Sequence, residues 1–318
     1  MSIKKTITAL IAAPSTLLLS NCANLEELAG GGSTSLPSYV AMETNSGRIL
    51  YATNANIKRP IGMLANIATG LMVLDWVKSR GVNMDTMLTV PETVTQWPRT
   101  NLLKLRPGDQ ISLRDALYST IMWDDSAGAA TIARACGSTI STSDPDGAFV
   151  AQLNQMARTI GMTNTRFKGT NGAVVSYASA RDMAVLGMYA IENPGFQAIC
   201  SQRSYTATIN GTRQQQIVNS NSMLSSAGVD GVKAARSKSA GACLIVSAKR
   251  ASVKLHNPRL NKESTYAQRL LVVALGMPSS QNRYNTAAGL LRDGWGAWED
   301  WQKTDDFQDP NKFIILPH

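Results

Sequence analysis

The chain has 318 residues, 44% of them hydrophobic and 17% charged, which is ordinary for a globular protein with a substantial core, built as one large domain or two small ones. Its formal net charge is +9. A basic chain first suggests nucleic acid, but here Lys and Arg are scattered, with no basic run and no nucleic-acid motif, so the expected neighbour is an anionic cell wall or membrane.

Residues 1–22 read as a targeting segment. Met1 to Lys5 is short and positive, and residues 7–19 form an apolar run too short to span a bilayer. The run ends in Leu19-Ser20-Asn21-Cys22, which is similar to a bacterial lipoprotein signal with Cys22 as the lipidated residue. Small residues are expected before such a cleavage point and Asn21 stands there, so ordinary signal-peptide cleavage is the alternative. Either way the protein is exported to the cell envelope or periplasm. Residues 23–36 include Ala29-Gly30-Gly31-Gly32-Ser33-Thr34-Ser35, a flexible tether. Discounting Lys4 and Lys5 from 31 basic against 22 acidic residues leaves an expected mature charge of +7.

Two strands are expected at residues 38–42 and 48–52 around an Asn45-Ser46-Gly47 turn. A helix follows Gly62. Leu64, Ile67, Leu71 and Leu74 recur at spacings of three and four, so one apolar face points inward. Ser112 is a candidate N-cap for a helix over 113–122. Further helices are expected over 126–137, closed by Gly137, over 148–160, and over 178–192, stopped by Asn193-Pro194-Gly195. A hairpin is expected around Asn210-Gly211, then strands at 231–235, 242–248 and 269–275, with an irregular polar insertion over 249–266. A closing amphipathic helix over 286–301 carries Trp295, Trp298 and Trp301 on one stripe, read as core packing. Strands at both ends of the chain and helices between them imply an antiparallel sheet with helices on its faces.

Cys136, Cys200 and Cys243 are irregularly spaced and read as small buried residues rather than a disulfide framework. With His256 and His318 the only histidines, neither a His-based zinc site nor a Ser-His-Asp triad is expected, and no metal or cofactor is implied.

Several stretches carry a family resemblance: residues 48–52 in the hairpin; Arg59-Pro60-Ile61-Gly62-Met63-Leu64-Ala65-Asn66 at the helix start; Leu105-Arg106-Pro107-Gly108-Asp109; Gly161-Met162-Thr163-Asn164-Thr165-Arg166-Phe167; and Asp230-Gly231-Val232-Lys233. Together these resemble the serine-type D-alanyl-D-alanine carboxypeptidases over roughly residues 36–301. The resemblance implies an α+β fold of the β-lactamase/transpeptidase type, with an antiparallel five-stranded sheet flanked by helices and an inserted helical subdomain. The folded domain is expected over 37–302, with 303–318 a tail.

That family works through Ser-x-x-Lys, Ser-x-Asn and Lys-Thr-Gly motifs. Here Met63 stands at the Ser position and Asn66 at the Lys position of the first. Asp124 and Ser126 stand in the second, where a one-residue ambiguity brings in Asp125. Lys233, Ala234 and Ala235 form the third, followed by Arg236. Only Lys233 survives. A thioether is no nucleophile toward amides, an amide is no useful base, and Ala235 adds a methyl where substrate backbone pairs with the strand. The expectation is a catalytically silent relative that binds a peptidoglycan stem peptide or another envelope ligand, with Met63 plugging the old nucleophile space and Asp124 paired to Lys233. Arg236 and Lys238 would keep the cleft mouth positive. The alternative is an active carboxypeptidase trimming stem peptides, with Ser126 as nucleophile and Lys233 as base; Ser237 beside Lys238 is a weaker nucleophile candidate.

Overall fold

A computed structural model describes residues 36–257 and 262–304, with side chains described for 36–254 and 265–304. The 1–22 leader with Cys22, nearly all of the tether and residues 305–318 of the tail lie outside the described residues.

The chain opens as the expected hairpin, β1 (Ser38–Glu43) and β2 (Ile49–Thr53). Its turn is held by Glu43, whose carboxylate accepts the backbone N–H groups of Asn45 and Ser46 at 3.0 and 2.7 Å. A short strand, β3 (Arg59–Pro60), leads into a single 3₁₀ turn at Gly62–Ala65 and then α1 (Asn66–Arg80). β4 (Met87–Thr89) and β5 (Gln110–Ser112) precede α2 (Leu113–Met122), where the Ser112 hydroxyl accepts the Asp115 N–H as an N-cap. Then come α3 (Ser126–Ser138), α4 (Pro145–Thr159), β6 (Tyr177–Ala178), α5 (Ala180–Glu192) and α6 (Pro194–Cys200). The chain continues through β7 (Ser204–Ile209), β8 (Arg213–Val218), β9 (Val229–Ser237), β10 (Gly241–Asn257), β11 (Lys262–Met277) and α7 (Ser280–Gln302).

The main sheet has five strands in the order β2-β1-β11-β10-β9, every neighbour antiparallel, so both ends of the chain build it as expected. Its inner strands are buried on both faces, which is why they read as continuous apolar runs. Ile245, Leu271, Val273 and Leu275 face the helical half, while Leu244, Val246, Leu270 and Val272 pack under α7. There Trp295, Trp298 and Trp301 are 7%, 0% and 8% exposed, as core packing requires. A four-stranded sheet, β4-β5-β7-β8, and the pair β3-β6 complete the strands. The N-terminal half of α1 is enclosed on all sides, with Asn66, Ile67, Ala68, Thr69, Gly70 and Leu71 all buried.

Two expectations are corrected, and a third, the stop at Asn193-Pro194-Gly195, holds with an addition. The described residues of 249–266, namely 249–257 and 262–266, are not an irregular insertion. β10 and β11 continue as a ladder through Lys249↔Arg269, Arg250↔Gln268, Val253↔Tyr266 and Lys254↔Thr265. Gly137 does not close α3 but lies inside it, where an added Cβ would overlap the carbonyl of Pro145 at the start of α4. Asn193-Pro194-Gly195 ends α5 and also starts α6, because the Asn193 side chain accepts the Phe196 N–H and Pro194 occupies the first helical turn. In addition, α4 starts at Pro145 under an Asp144 cap, and α7 starts at Ser280 under a Ser279 cap, both earlier than periodicity indicates.

Candidate functional site

The 3₁₀ turn aims Met63 into the protein, where it is 2% exposed. The backbone of residues 171–172 lies directly on it: a Cβ on Gly172 would overlap the Met63 Cα, so only glycine fits there. Asn66, one turn on, is fully buried and works as a staple. Its Oδ1 accepts the Gly172 N–H at 3.0 Å and its Nδ2 points at the Asp125 carbonyl at 3.5 Å. A lysine here would offer no acceptor to Gly172, whereas an amide offers both kinds of group.

Residues 123–125 link α2 to α3. Asp125 is buried and structural: its carboxylate accepts the Gly128 N–H at 2.9 Å as the cap of α3, the Leu102 N–H at 2.8 Å and the Ser119 hydroxyl at 3.0 Å. Burial pushes its pKa up, and these donors oppose the shift. The Asp125-Ser126 junction carries an N-cap signal that periodicity alone does not expose. Ser126 is fully buried; its hydroxyl donates to Thr100 Oγ1 at 2.7 Å and lies 3.8 Å from the Met63 sulfur.

Lys233 projects from β9, an edge strand of the main sheet, and is 0% exposed. Its ammonium donates to the carbonyls of Trp123 at 2.6 Å and Ile121 at 3.2 Å, and Asp124 Oδ1 lies 3.6 Å away. The expected Asp124–Lys233 pair therefore forms, at a separation too long for a good hydrogen bond. Burial pushes Asp124 up and Lys233 down, and each charge partly restrains the other. Although a quarter of the Asp124 side chain remains open, its Oδ1 is shut off from solvent.

The edge of β9 is already engaged by the chain itself. The backbone N–H of Arg236 lies close enough to the Asp124 carboxylate to lower its pKa against the effect of burial. The Ser220 hydroxyl donates to the Ala234 carbonyl at 2.8 Å on that edge, while Arg283 sits on the β9–β10 seam and donates to the paired carbonyls of Ala235 and Cys243 at 2.7 and 3.3 Å. Ala234 and Ala235 are buried, while Arg236 and Lys238 are exposed. Neither Ser220 nor Arg283 stands out in the sequence, because each acts through a partner far away along the chain.

Met63, Asn66, Ser126 and the Lys233–Asp124 pair thus surround one location, and polar contacts internal to the protein fill it. Among the described residues, no cluster of three or more His, Cys, Asp or Glu side chains could hold a metal ion, and no helix is long and apolar enough to cross a membrane. Cys136, Cys200 and Cys243 are free and buried, and burial pushes their thiols up to about 12, 12 and 11, which makes them inert. Two cavities, of about 490 and 200 Å³, lie elsewhere, one beside Lys58, Arg158 and Arg166 and the other beside Arg59.

An antiparallel five-stranded sheet with a helical subdomain beside its edge strand defines the class to which penicillin-binding transpeptidases and carboxypeptidases belong. The structure of the Streptomyces K15 DD-transpeptidase matches with a TM-score of 0.71 over 84% of this chain and 99% of that one, at 22% identity. Penicillin-binding protein 5 of Haemophilus influenzae matches with a TM-score of 0.69 over 84% of this chain and 72% of that one, at 25% identity. The family model described as D-alanyl-D-alanine carboxypeptidase matches residues 30–264, and the chain belongs to that family. Among curated relatives, the D-alanyl-D-alanine carboxypeptidase DacC of Escherichia coli is 30% identical over 82% of this chain, and DacD of Salmonella typhimurium is 30% identical over 81%. The matched region spans 61% and 62% of those relatives' lengths.

Proposed function

We propose that this chain is a catalytically silent, exported member of the family that binds a peptidoglycan stem peptide or another envelope ligand, held at a membrane through lipidated Cys22. The observation that carries this reading is the state of Lys233. Its ammonium is wholly enclosed and bonded to the chain's own carbonyls, beside a methionine where the resemblance places the nucleophile. A base or carboxylate-binding lysine needs an open face toward substrate. The engaged edge of β9 supports the same reading, since a peptide adding to that strand would have to displace Asp124 and Ser220.

The deciding experiment incubates the purified protein with a fluorescent penicillin, which traps an active serine of this fold as an acyl-enzyme. No covalent band is expected on a denaturing gel. A labelled band, with the adduct located by mass spectrometry, would overturn the silent assignment and name the nucleophile. Calorimetry with a D-Ala-D-Ala peptide tests the ligand, and no heat of binding at millimolar concentration removes the stem peptide from the proposal. Labelling with radioactive palmitate, present in the full chain and lost in Cys22→Ala, tests the anchor.

A further inference from the structure

Arg59 is 3% exposed, yet its guanidinium makes no hydrogen bond and no ion pair with any described residue. A buried arginine is ordinarily tied to a carboxylate or to carbonyls, and here the Arg59 Nε is shut off from solvent with no acceptor, which is costly. The other buried arginine, Arg283, also leaves its Nε without a partner but ties both terminal nitrogens, donating to two carbonyls and to the Tyr284 hydroxyl, whereas the Arg59 terminal nitrogens make no such bond with a described residue. Arg59 instead lines a recess of about 200 Å³ walled by Pro60, Ser239, Gly241, Gly276 and Met277. Gly276 adopts a left-handed φ of 71°, and a Cβ there would also push Arg59 Nη1 aside. The ionisable group that acts on Arg59 is the Cys243 thiol, which burial pushes up to about 11 and which therefore supplies no negative charge at neutral pH. Burial lowers the guanidinium's own pKa, but arginine remains protonated.

We infer that this recess is an anion-binding site, in which Arg59 takes one oxyanion group, a carboxylate or a phosphate. The volume admits a single such group and excludes a nucleotide or a sugar chain. The Ser239 hydroxyl, on an exposed turn, is a second donor at the rim. The site joins three segments: the lead into the Met63 turn, the β9–β10 turn and the end of β11. The first two already touch, with the position of a Gly62 Cβ lying 3.0 Å from Ser237 Oγ. An anion bridging them would fix the lead-in strand against the sheet. This site is separate from the Met63–Lys233 location and does not depend on the silent reading.

The test is calorimetric titration of the purified protein with sodium phosphate and, separately, sodium acetate, repeated on two variants. Saturable one-site binding is expected for the wild type. The tighter of the two anions tells whether the group comes from a phosphate or a carboxylate. Arg59→Met should weaken binding by roughly tenfold or more, the usual consequence of removing one partner of a buried charge pair. Ser239→Asp, at an exposed position that does not threaten the fold, supplies an internal carboxylate at the rim and should abolish binding of the added anion. Absence of saturable binding by the wild type would overturn the inference. So would unchanged affinity in Arg59→Met, or unchanged affinity in Ser239→Asp if the first variant does not fold.

Discussion

Two acid–base clusters sit three residues apart on β9, and they are built to different standards. Asp230 is fully served: Ser247 donates to its Oδ1 at 2.9 Å, Arg269 to its Oδ2 at 2.8 Å, and the Lys249 ammonium lies 3.7 Å off. Arg269 keeps part of its surface in water. Asp124 and Lys233 stand 3.6 Å apart, with the lysine wholly enclosed and Asp124 Oδ1 lacking a hydrogen-bond partner. The first is a paired charge at the sheet surface, where desolvation is partial. The second is a buried charge retained without a partner at good distance, a costly arrangement unless something else needs the lysine. In the family resemblance Lys233 is the one motif residue kept, and here it is held by the chain's own carbonyls rather than by a well-placed carboxylate.

The sharpest way to break that comparison is to remove each cation or anion in turn. Lys233→Ala should be the most damaging, costing about 3–5 kcal/mol in urea unfolding, because it leaves a cavity and strips two carbonyls and Asp124 of their donor. If the pair is a remnant rather than a stabiliser, Lys233→Met combined with Asp124→Leu should recover at least half of that loss, since apolar replacement of a buried pair is often neutral or favourable. Asp230→Ala should cost less, about 2–3 kcal/mol, through the lost charge-assisted hydrogen bonds to Arg269 and Ser247. A larger loss for Asp230→Ala than for Lys233→Ala would reverse the ranking.

Asp124 sharpens the comparison through pH. Its folded pKa is raised by burial, so the folded state holds the proton longer than the unfolded chain does. Its contribution to stability is therefore complete below the ordinary carboxylate range and is lost as pH rises through the folded value. Lys233, pushed down, acts in the same direction on the variant: with Asp124 neutralised, the lysine is harder still to keep charged, and stability of the variant rises with pH. The stability of wild type minus that of Asp124→Asn should thus fall as pH rises from about 4 toward neutrality. A flat difference would mean that Asp124 titrates as an exposed aspartate and that its pairing to Lys233 carries little.

The legible parts of the sequence are those set by local rules. The Ser112 cap, the opening hairpin and the apolar cores of β10 and β11 follow from capping chemistry and periodicity. Beyond residue 248 the same two strands carry Lys249, Arg250 and Lys254, where ladder hydrogen bonds rather than burial hold the pairing, and the apolar pattern that marks a strand is gone. Gly137 obeys a packing need from α4 that no local rule reports. At the site, Met63, Asn66 and Lys233 are visible because a motif frame brackets them. Ser220 and Arg283 are not, because what defines each is a neighbour many residues away; Asp125 shows locally only as the cap of Gly128, and the orphaned Arg59 Nε shows only once the fold is closed around it.

The smallest expected effect belongs to Ser126, and it separates the two functional readings. Its hydroxyl donates to Thr100 at 2.7 Å in a fully enclosed position, and none of its hydrogen bonds involves Lys233. Ser126→Ala should therefore cost about 1 kcal/mol, the worth of one neutral hydrogen bond, with no change in penicillin labelling from a wild type that is itself unlabelled. A serine acting as nucleophile needs its base within hydrogen-bond reach and a face open to the substrate carbonyl. Should the wild type release D-alanine from a stem peptide, and Ser126→Ala abolish that release while unfolding at the same urea concentration, the enclosed arrangement would have to open on substrate binding, and Lys233 would regain a role as base. Release that survives in Ser126→Ala would remove Ser126 as nucleophile and turn the test to Ser237 beside Lys238.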